Sequence, residues 1–296
     1  MSETTSYIKA TANGTVMTIG NQSGWIDYID VNGQAMLTDR ASVVPEFWRA
    51  PTDNDYGARL QMKYDVWKSP QTTLREVSHK PTADNGLQVT AKFDMPEVNA
   101  TLTMTYTLTA DGRIVVNEKM SADTAAKVSE MFRYGMQLRM PEHFNRIEYH
   151  GRGPIENYVD RNTSQFIIKA DTTVASQYYQ YIRPQESGNH TDIRHFTVYD
   201  GNTGNGLRFY SNAPMECSAL NYLTSDLDDG RVKERAIGRH SGDLTPRKET
   251  QVHIQQRQMG LGCITSWGTL PLPQYRMPYG NYDFTFVIEP VKVSAR

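Results

Sequence analysis

Glu156 in GPIENY and Glu186 in PQESGN are carboxylates whose setting suggests chemistry. Two carboxylates about 5–5.5 Å apart can serve as nucleophile and acid/base at an anomeric carbon, so glycoside cleavage is the first activity to weigh. With 33 acidic residues in the chain some such pair always exists. The structural alternative is that each caps a turn or pairs with an arginine such as Arg161 or Arg194. His190 and His195 flank Asp192 and Arg194. A histidine with a carboxylate can open a pyranose ring by acid/base catalysis; hydrogen-bonded loop histidines are the plainer account. The seven histidines make no H-x-x-x-H or H-E-x-x-H pattern, which argues against a zinc site. G-x-S-x-G, G-x-G-x-x-G and the P-loop are missing too, which sets aside hydride transfer and nucleotide hydrolysis.

Two further stretches suit binding. Trp267 lies in GLGCITSWGTLPLPQYRMPYG, between glycines and ahead of Pro271 and Pro273. A tryptophan in such a loop tends to be exposed, where its indole is a platform for the apolar face of a sugar ring; a partly buried packing role is the alternative. Glu46 to Gly57, EFWRAPTDNDYG, joins two large aromatics to Arg49, Pro51 and the cluster Asp53, Asn54 and Asp55. Pro51 fixes its own φ and biases Ala50 to extended geometry. The run reads as a rigidly held surface loop that continues as neither helix nor strand, with Gly57 supplying the freedom to bend at positive φ. Its function is either a structural corner held by Asp–Arg pairs or the wall of a polar site with a mobile flap starting at Gly57.

The elements that must position these residues are strands. Tyr7 to Ile29 reads as two or three strands broken at Asn13-Gly14 and at Asn21–Gly24, and Asn32-Gly33 is another tight turn. Leu87–Phe93 alternates, Thr101–Leu108 alternates strictly, and Asp111-Gly112 turns the chain into Ile114–Met120, the pattern of meander strands with one wet face. Phe132–Met140, His195–Tyr199, Leu207–Tyr210, Gln251–Gln255 and Tyr282–Ile288 follow, while Arg59 to Lys68 has no clean period. Many short strands without helical periodicity predict an all-β antiparallel sandwich, one large two-sheet unit being the simplest arrangement. A split at the polar stretch Ser121 to Lys127 is the other.

Composition narrows the class. A net charge of −2 leaves no footprint for nucleic acid. No run of about 18 apolar residues predicts a membrane span. MSETTSYIKA lacks a basic segment followed by an apolar one, although a larger precursor would leave a leader open. Cys217 and Cys263 can pair, but two cysteines are no disulfide framework, and neither sits in a zinc spacing.

Lined up, FWRAPTDNDYG (Phe47–Gly57), GRGPIENYVDR (Gly151–Arg161), YIRPQESGNHTDIR (Tyr181–Arg194) and MGLGCITSW (Met259–Trp267) resemble, in order and spacing, the C-terminal or small-chain domain of glycoside hydrolase family 2 β-galactosidases. The similarity runs from about Ile19 onward, leaving residues 1–18 as a linker or an edge strand from a preceding domain. It implies a large β-sandwich (a supersandwich similar to galactose mutarotase) occupying residues 1–296 as a single unit. The catalytic glutamates, the magnesium ligands and sodium belong, by the same resemblance, to a TIM-barrel domain that precedes this one. No catalytic residue, metal or cofactor is then expected here, and Glu156 and Glu186 become structural. The implied partners are that barrel or large subunit and a terminal β-D-galactoside such as lactose, in an oligomeric parent enzyme. Compartment, cytoplasmic or periplasmic, follows the parent chain. Trp267 matches the residue that stacks on the incoming disaccharide, and Gly57 matches the hinge of a loop closing over galactose, although Ala58–Gln61 departs from that loop. Arg49, Asp53, Asn54 and Asp55 are assigned to shaping the loop. The alternatives are a stand-alone aldose epimerase using a pair such as His190 and Asp192, and a carbohydrate-binding module.

Overall fold

The computed structural model describes residues 1–231, 239–262, 264–265 and 268–294. Near the amino terminus lie five antiparallel strands: β1 (Ser2–Glu3), β2 (Tyr7–Ala12), β3 (Thr15–Gly20), β4 (Ile26–Val31) and β5 (Gln34–Ala35). Asn13 and Gly14, with φ of 42° and 77°, form the predicted hairpin turn between β2 and β3, and Asn32-Gly33 (53° and 85°) does the same between β4 and β5. Both dipeptides supply the two left-handed residues that such a turn requires.

The second sheet has twelve strands: β6 (Val44–Glu46), β7 (Thr73–Pro81), β8 (Leu87–Met95), β9 (Ala100–Leu108), β10 (Ile114–Ala122), β11 (Arg133–Pro141), β12 (Arg146–Gly153), β13 (Phe166–Thr173), β14 (His190–Tyr199), β15 (Asn205–Leu220), β16 (Glu249–Gln258) and β17 (Tyr282–Lys292). The main path runs β13-β12-β14-β15-β17-β10-β9-β8-β7. β15 is 16 residues long and changes neighbour along its length: Asn205–Tyr210 pair with β17, and Glu216–Leu220 pair with β16. From β16 the sheet continues to β11 and β6. The expected all-β antiparallel sandwich is what the chain forms.

The strict alternation of Thr101–Leu108 puts Leu102, Met104, Tyr106 and Leu108 in the core and the threonines on the other face. One hydrophobic cluster extends from Ile8 to Ile288 and takes in residues on both sides of Ser121–Lys127. β17 runs past Ile288 through Pro290, further than its aromatic stretch suggests. Beyond Ile288 the strand has lost β10 as a neighbour and pairs only with β15, an edge position of the kind where proline is tolerated. Arg59–Lys68, which has no clean period, folds as a short helix α2 (Leu60–Lys63) followed by a 3-10 turn over Asp65–Trp67.

β11, β16 and the carboxyl-terminal half of β15 have an unusual second face. One side carries Tyr134, Met136, Leu138, Val252, Ile254, Cys217 and Ala219 into the core. Arg133, Gln251, His253, Gln255, Glu216 and Ser218 are polar, yet all are buried. The direct pairs Gln137↔His253, Ser218↔His253 and Glu216↔Gln255 put the inner members of this set on one common surface. Arg133 closes that surface: its guanidinium is 3.1 Å from Glu46 Oε2 and 2.5 Å from Glu186 Oε2, and donates to Gln258 Oε1 at 3.2 Å. His253 Nδ1 lies 2.5 Å from the same Glu46 oxygen. Burial pushes the Glu46 carboxyl up, but His253 and Arg133 outweigh it and hold the group below its usual range.

Removing Arg133 leaves two buried carboxylates without their cation. Arg133→Ala is expected to lose about 3–5 kcal/mol of stability, read as a lowered urea midpoint, whereas an exposed-arginine control such as Arg40→Ala leaves the midpoint in place.

Candidate functional site

The four sequence motifs meet at one place. Residues 46–57 do not form an exposed loop: Arg49 and Asp55 are buried, and Asp53–Gly57 is a short helix, α1. Thr52 makes this possible. Its hydroxyl accepts from Asp55 N at 3.1 Å while the Asp55 carboxylate accepts from Thr52 N at 2.9 Å, a reciprocal cap on the first turn. The acidic cluster that reads as helix-breaking is thus an N-terminal turn, where carboxylates suit the unsatisfied amides. Gly57 is the last residue of α1, and the left-handed position is Arg59, with φ of 60°.

Arg49 ties this segment to the Trp267 stretch. Its guanidinium grips Asp55 through Nε at 3.1 Å and Nη2 at 2.8 Å, donates to the carbonyl of Met259 at 2.5 Å and to that of Gly260 at 3.2 Å, and stacks over Phe132. Asn54 holds both ends of the loop. Its amide nitrogen donates to Leu261 O at 3.1 Å and Thr269 O at 3.2 Å, and its oxygen accepts from Gly268 N at 3.1 Å. Asp160 adds a second anchor by accepting from the amides of Leu261 and Gly262 at 3.0 and 2.9 Å. Gly262 and Gly268 are both left-handed, with φ of 84° and 81°, and a Cβ on Gly268 would run into the backbone of Gly57. Trp267 itself, with Cys263, lies outside the described residues; Cys217 is a buried free thiol.

Beside this clamp opens a cavity of about 330 Å³ lined by Thr52, Asp53, Asn54, Arg161, Tyr181, Gln185, Glu186 and Leu261. Each of the four motifs contributes a residue to it. Asp53 is exposed at its edge, and the Asp53 amide donates to Gln185 Oε1 at 3.2 Å. Glu156 is fully engaged: Arg161 Nη2 reaches it at 2.7 Å, Gly188 N at 2.6 Å, and Tyr181 donates its hydroxyl. Glu186 is bound to Arg133. The arginine-pairing alternative therefore describes both glutamates, with Arg133 rather than Arg161 or Arg194 as the partner of Glu186.

His190 and Asp192 are not brought together as an acid–base pair. His190 is buried between Gln177 Oε1 at 2.8 Å and Arg152 O at 3.0 Å, and burial pushes its imidazole down to about 4. Asp192 has φ of 56° and turns its carboxylate to Arg152 Nε at 2.5 Å.

With this geometry in place, the comparison with known proteins is decisive at the level of family. The model of the β-galactosidase small chain matches residues 11–288. This chain belongs to the β-galactosidase small-chain family. Over 252 residues it is 30% identical to a β-galactosidase of Priestia megaterium, covering 83% of this chain and 23% of the relative. A β-galactosidase of Streptococcus thermophilus is 29% identical over 249 residues, again 83% and 23%. The small chain therefore spans about a quarter of the length of these relatives. Its fold is that of an Escherichia coli K12 protein assigned as an aldose 1-epimerase, with a TM-score of 0.53 at 11% identity, over 97% of this chain and 99% of the other. That likeness concerns architecture alone.

Sequence reasoning missed Asp160, Arg133 and the buried polar face. Asp160 stands within a quoted motif, but its role is set by a contact about a hundred residues away, for which the chain carries no local signal. Glu216, on the polar face, accepts from Gln258 N at 3.1 Å and Asn189 Nδ2 at 2.8 Å, and burial still pushes its carboxyl up to about 7.

Two outcomes follow. Because the folded Glu216 holds its proton more tightly than an ordinary glutamate, whose value is 4.5, it favours the folded state at low pH and that contribution is lost as pH rises from about 4.5 through about 7. Glu216→Gln should flatten the fall in thermal midpoint across that window. Asn54→Ala removes three bonds to the ends of one loop; amide exchange at Gly268 should accelerate tenfold or more, about 1.4 kcal/mol or above, while amides in β9 and β10 keep their protection.

Proposed function

We propose that this chain is the non-catalytic C-terminal part, or separate small subunit, of a glycoside hydrolase family 2 β-galactosidase. In this reading residues 1–296 form one unit that completes the sugar-binding site of a TIM-barrel catalytic domain. The reaction served is hydrolysis of terminal β-D-galactosides such as lactose. The observation that carries it is the convergence of all four motifs on one cavity, with two of them anchoring the loop of the fourth. Asn54, Asp160 and Arg49 bond the described ends of the stretch that carries Trp267. A rigid mount of that kind suits a stacking platform, because binding energy gained away from the reacting bond positions the substrate only if the platform does not give way.

Trp267 is the platform in this proposal, and Gly57 begins the segment that closes over the sugar. Arg49, Asp53, Asn54 and Asp55 shape the mount and its contact with the barrel. The relatives' greater length leaves ample chain for the barrel, and the exposed apolar residues Ile182, Ile264 and Leu272, which belong to the segments framing the cavity, suit a face covered by another domain. Magnesium and sodium would be held by that domain. The epimerase alternative loses support with the burial and engagement of His190.

The test is hydrolysis of lactose or nitrophenyl-galactoside by this chain alone and after adding the separately expressed barrel portion. Silence alone and activity on mixing is the expected result; turnover by the lone chain overturns the proposal. In the reconstituted enzyme, Trp267→Ala should raise KM about fivefold or more, given about 1 kcal/mol for a stacked ring, with kcat largely kept.

A further inference from the structure

A larger cavity, about 580 Å³, opens on the polar face of β11 and β16, lined by Trp25, Glu46, Trp48, Gln137, Thr224 and Gln251 among others. It is separate from the loop-side cavity: Glu46 lines one, Glu186 lines the other, and Arg133 holds both carboxylates. We propose that this second cavity is a carbohydrate site of its own, taking a neutral mono- or disaccharide.

Size, wall chemistry and charge each point to that class. Pockets of this volume suit small organic ligands rather than a lone ion or a peptide strand. A pyranose needs a flat apolar surface against its C–H face and fixed donors and acceptors around its rim. The apolar surface is supplied by half-buried Trp25, locked in place by stacking on Phe93 with ring centroids 4.1 Å apart, together with Trp48. The rim groups are equally fixed. Gln251 Oε1 accepts from Thr224 N at 2.7 Å, and Gln251 Nε2 donates to Gln137 Oε1. Gln137 is half-buried, and its own amide nitrogen has no protein acceptor among the described residues, so it is a donor directed by its neighbour and left for a ligand. The lining acids already have partners: Glu46 has Arg133 and the His253 ring, and Asp228 has Lys68 at 2.7 Å and accepts from the Trp48 indole at 2.9 Å. Arg139 faces Glu249 at 3.3 Å. With its charges paired, the cavity offers little to an ion and much to hydroxyl groups.

The experiment is calorimetric titration of this chain alone with lactose and, separately, maltose, repeated on Gln137→Leu, Ser225→Trp and Trp267→Ala. Ser225 is exposed at the cavity wall, so the tryptophan fills the space without a buried clash, and it decides the matter if Gln137→Leu fails to fold. Saturable millimolar binding that weakens at least tenfold in the first two variants and persists in Trp267→Ala supports the proposal. Three results overturn it: no saturable binding to the wild-type chain, binding unchanged in the folded cavity variants, or binding lost only in Trp267→Ala, which would place the sugar at the loop. The outcome is independent of the complementation experiment, whose readout is turnover.

Discussion

A buried guanidinium between two buried carboxylates is the constraint around which this molecule is arranged. Arg133 is desolvated between Glu46 and Glu186, and Glu46 is held by His253 as well. Glu46 ends β6 and Glu186 lies in the segment before β14, so one charge ties an edge strand and a loop to the same place on β11. Stability is not the natural reason for such a design, since apolar replacements of buried ion pairs are often as good. Its effect here is geometric, because a polar triad has one satisfactory arrangement whereas an apolar contact tolerates sliding. The segment that follows Glu46 and the one that ends at Glu186 both line the loop-side cavity.

From that anchor the rest of the site follows by short links. Glu46 leads into Phe47 and Trp48, which pack against Trp67 and Phe132, and then into Arg49, which crosses to Met259 and Gly260. The chain then turns through α1, which presents Asn54 to the loop ends. Membership in the β-galactosidase small-chain family gives this arrangement its setting, since the chain spans about a quarter of the length of the relatives it matches.

The fold was largely legible because alternation is a direct imprint of strand geometry. Thr101–Leu108 shows its period without help, and Asn13-Gly14 marks its turn. The motifs were legible as a group, but not the manner of their meeting. Asp53-Asn54-Asp55 reads as turn-forming because short polar residues compete with the helix for backbone bonds; Thr52 and Asp55 reverse that outcome by capping each other, and the pattern T-x-x-D was there to be read. Gln251-Val-His-Ile-Gln255 alternates as a half-wet strand does, and sequence alone cannot separate a face in water from a polar face under another segment. Glu186 could not be assigned its partner either, since Arg133 lies 53 positions away along the chain.

The single-residue grip of Asn54 has an evolutionary corollary. One side chain bonds Leu261, Gly268 and Thr269, so the loop is closed at its base by a contact that does not involve its tip. Closing entropy grows only slowly with the number of residues enclosed. The described ends of the loop are thereby tied to α1 by one side chain, so the hold on the base rests on Asn54 rather than on the length of chain enclosed. A scaffold of this form lets the enclosed sequence vary without re-solving the folding problem each time.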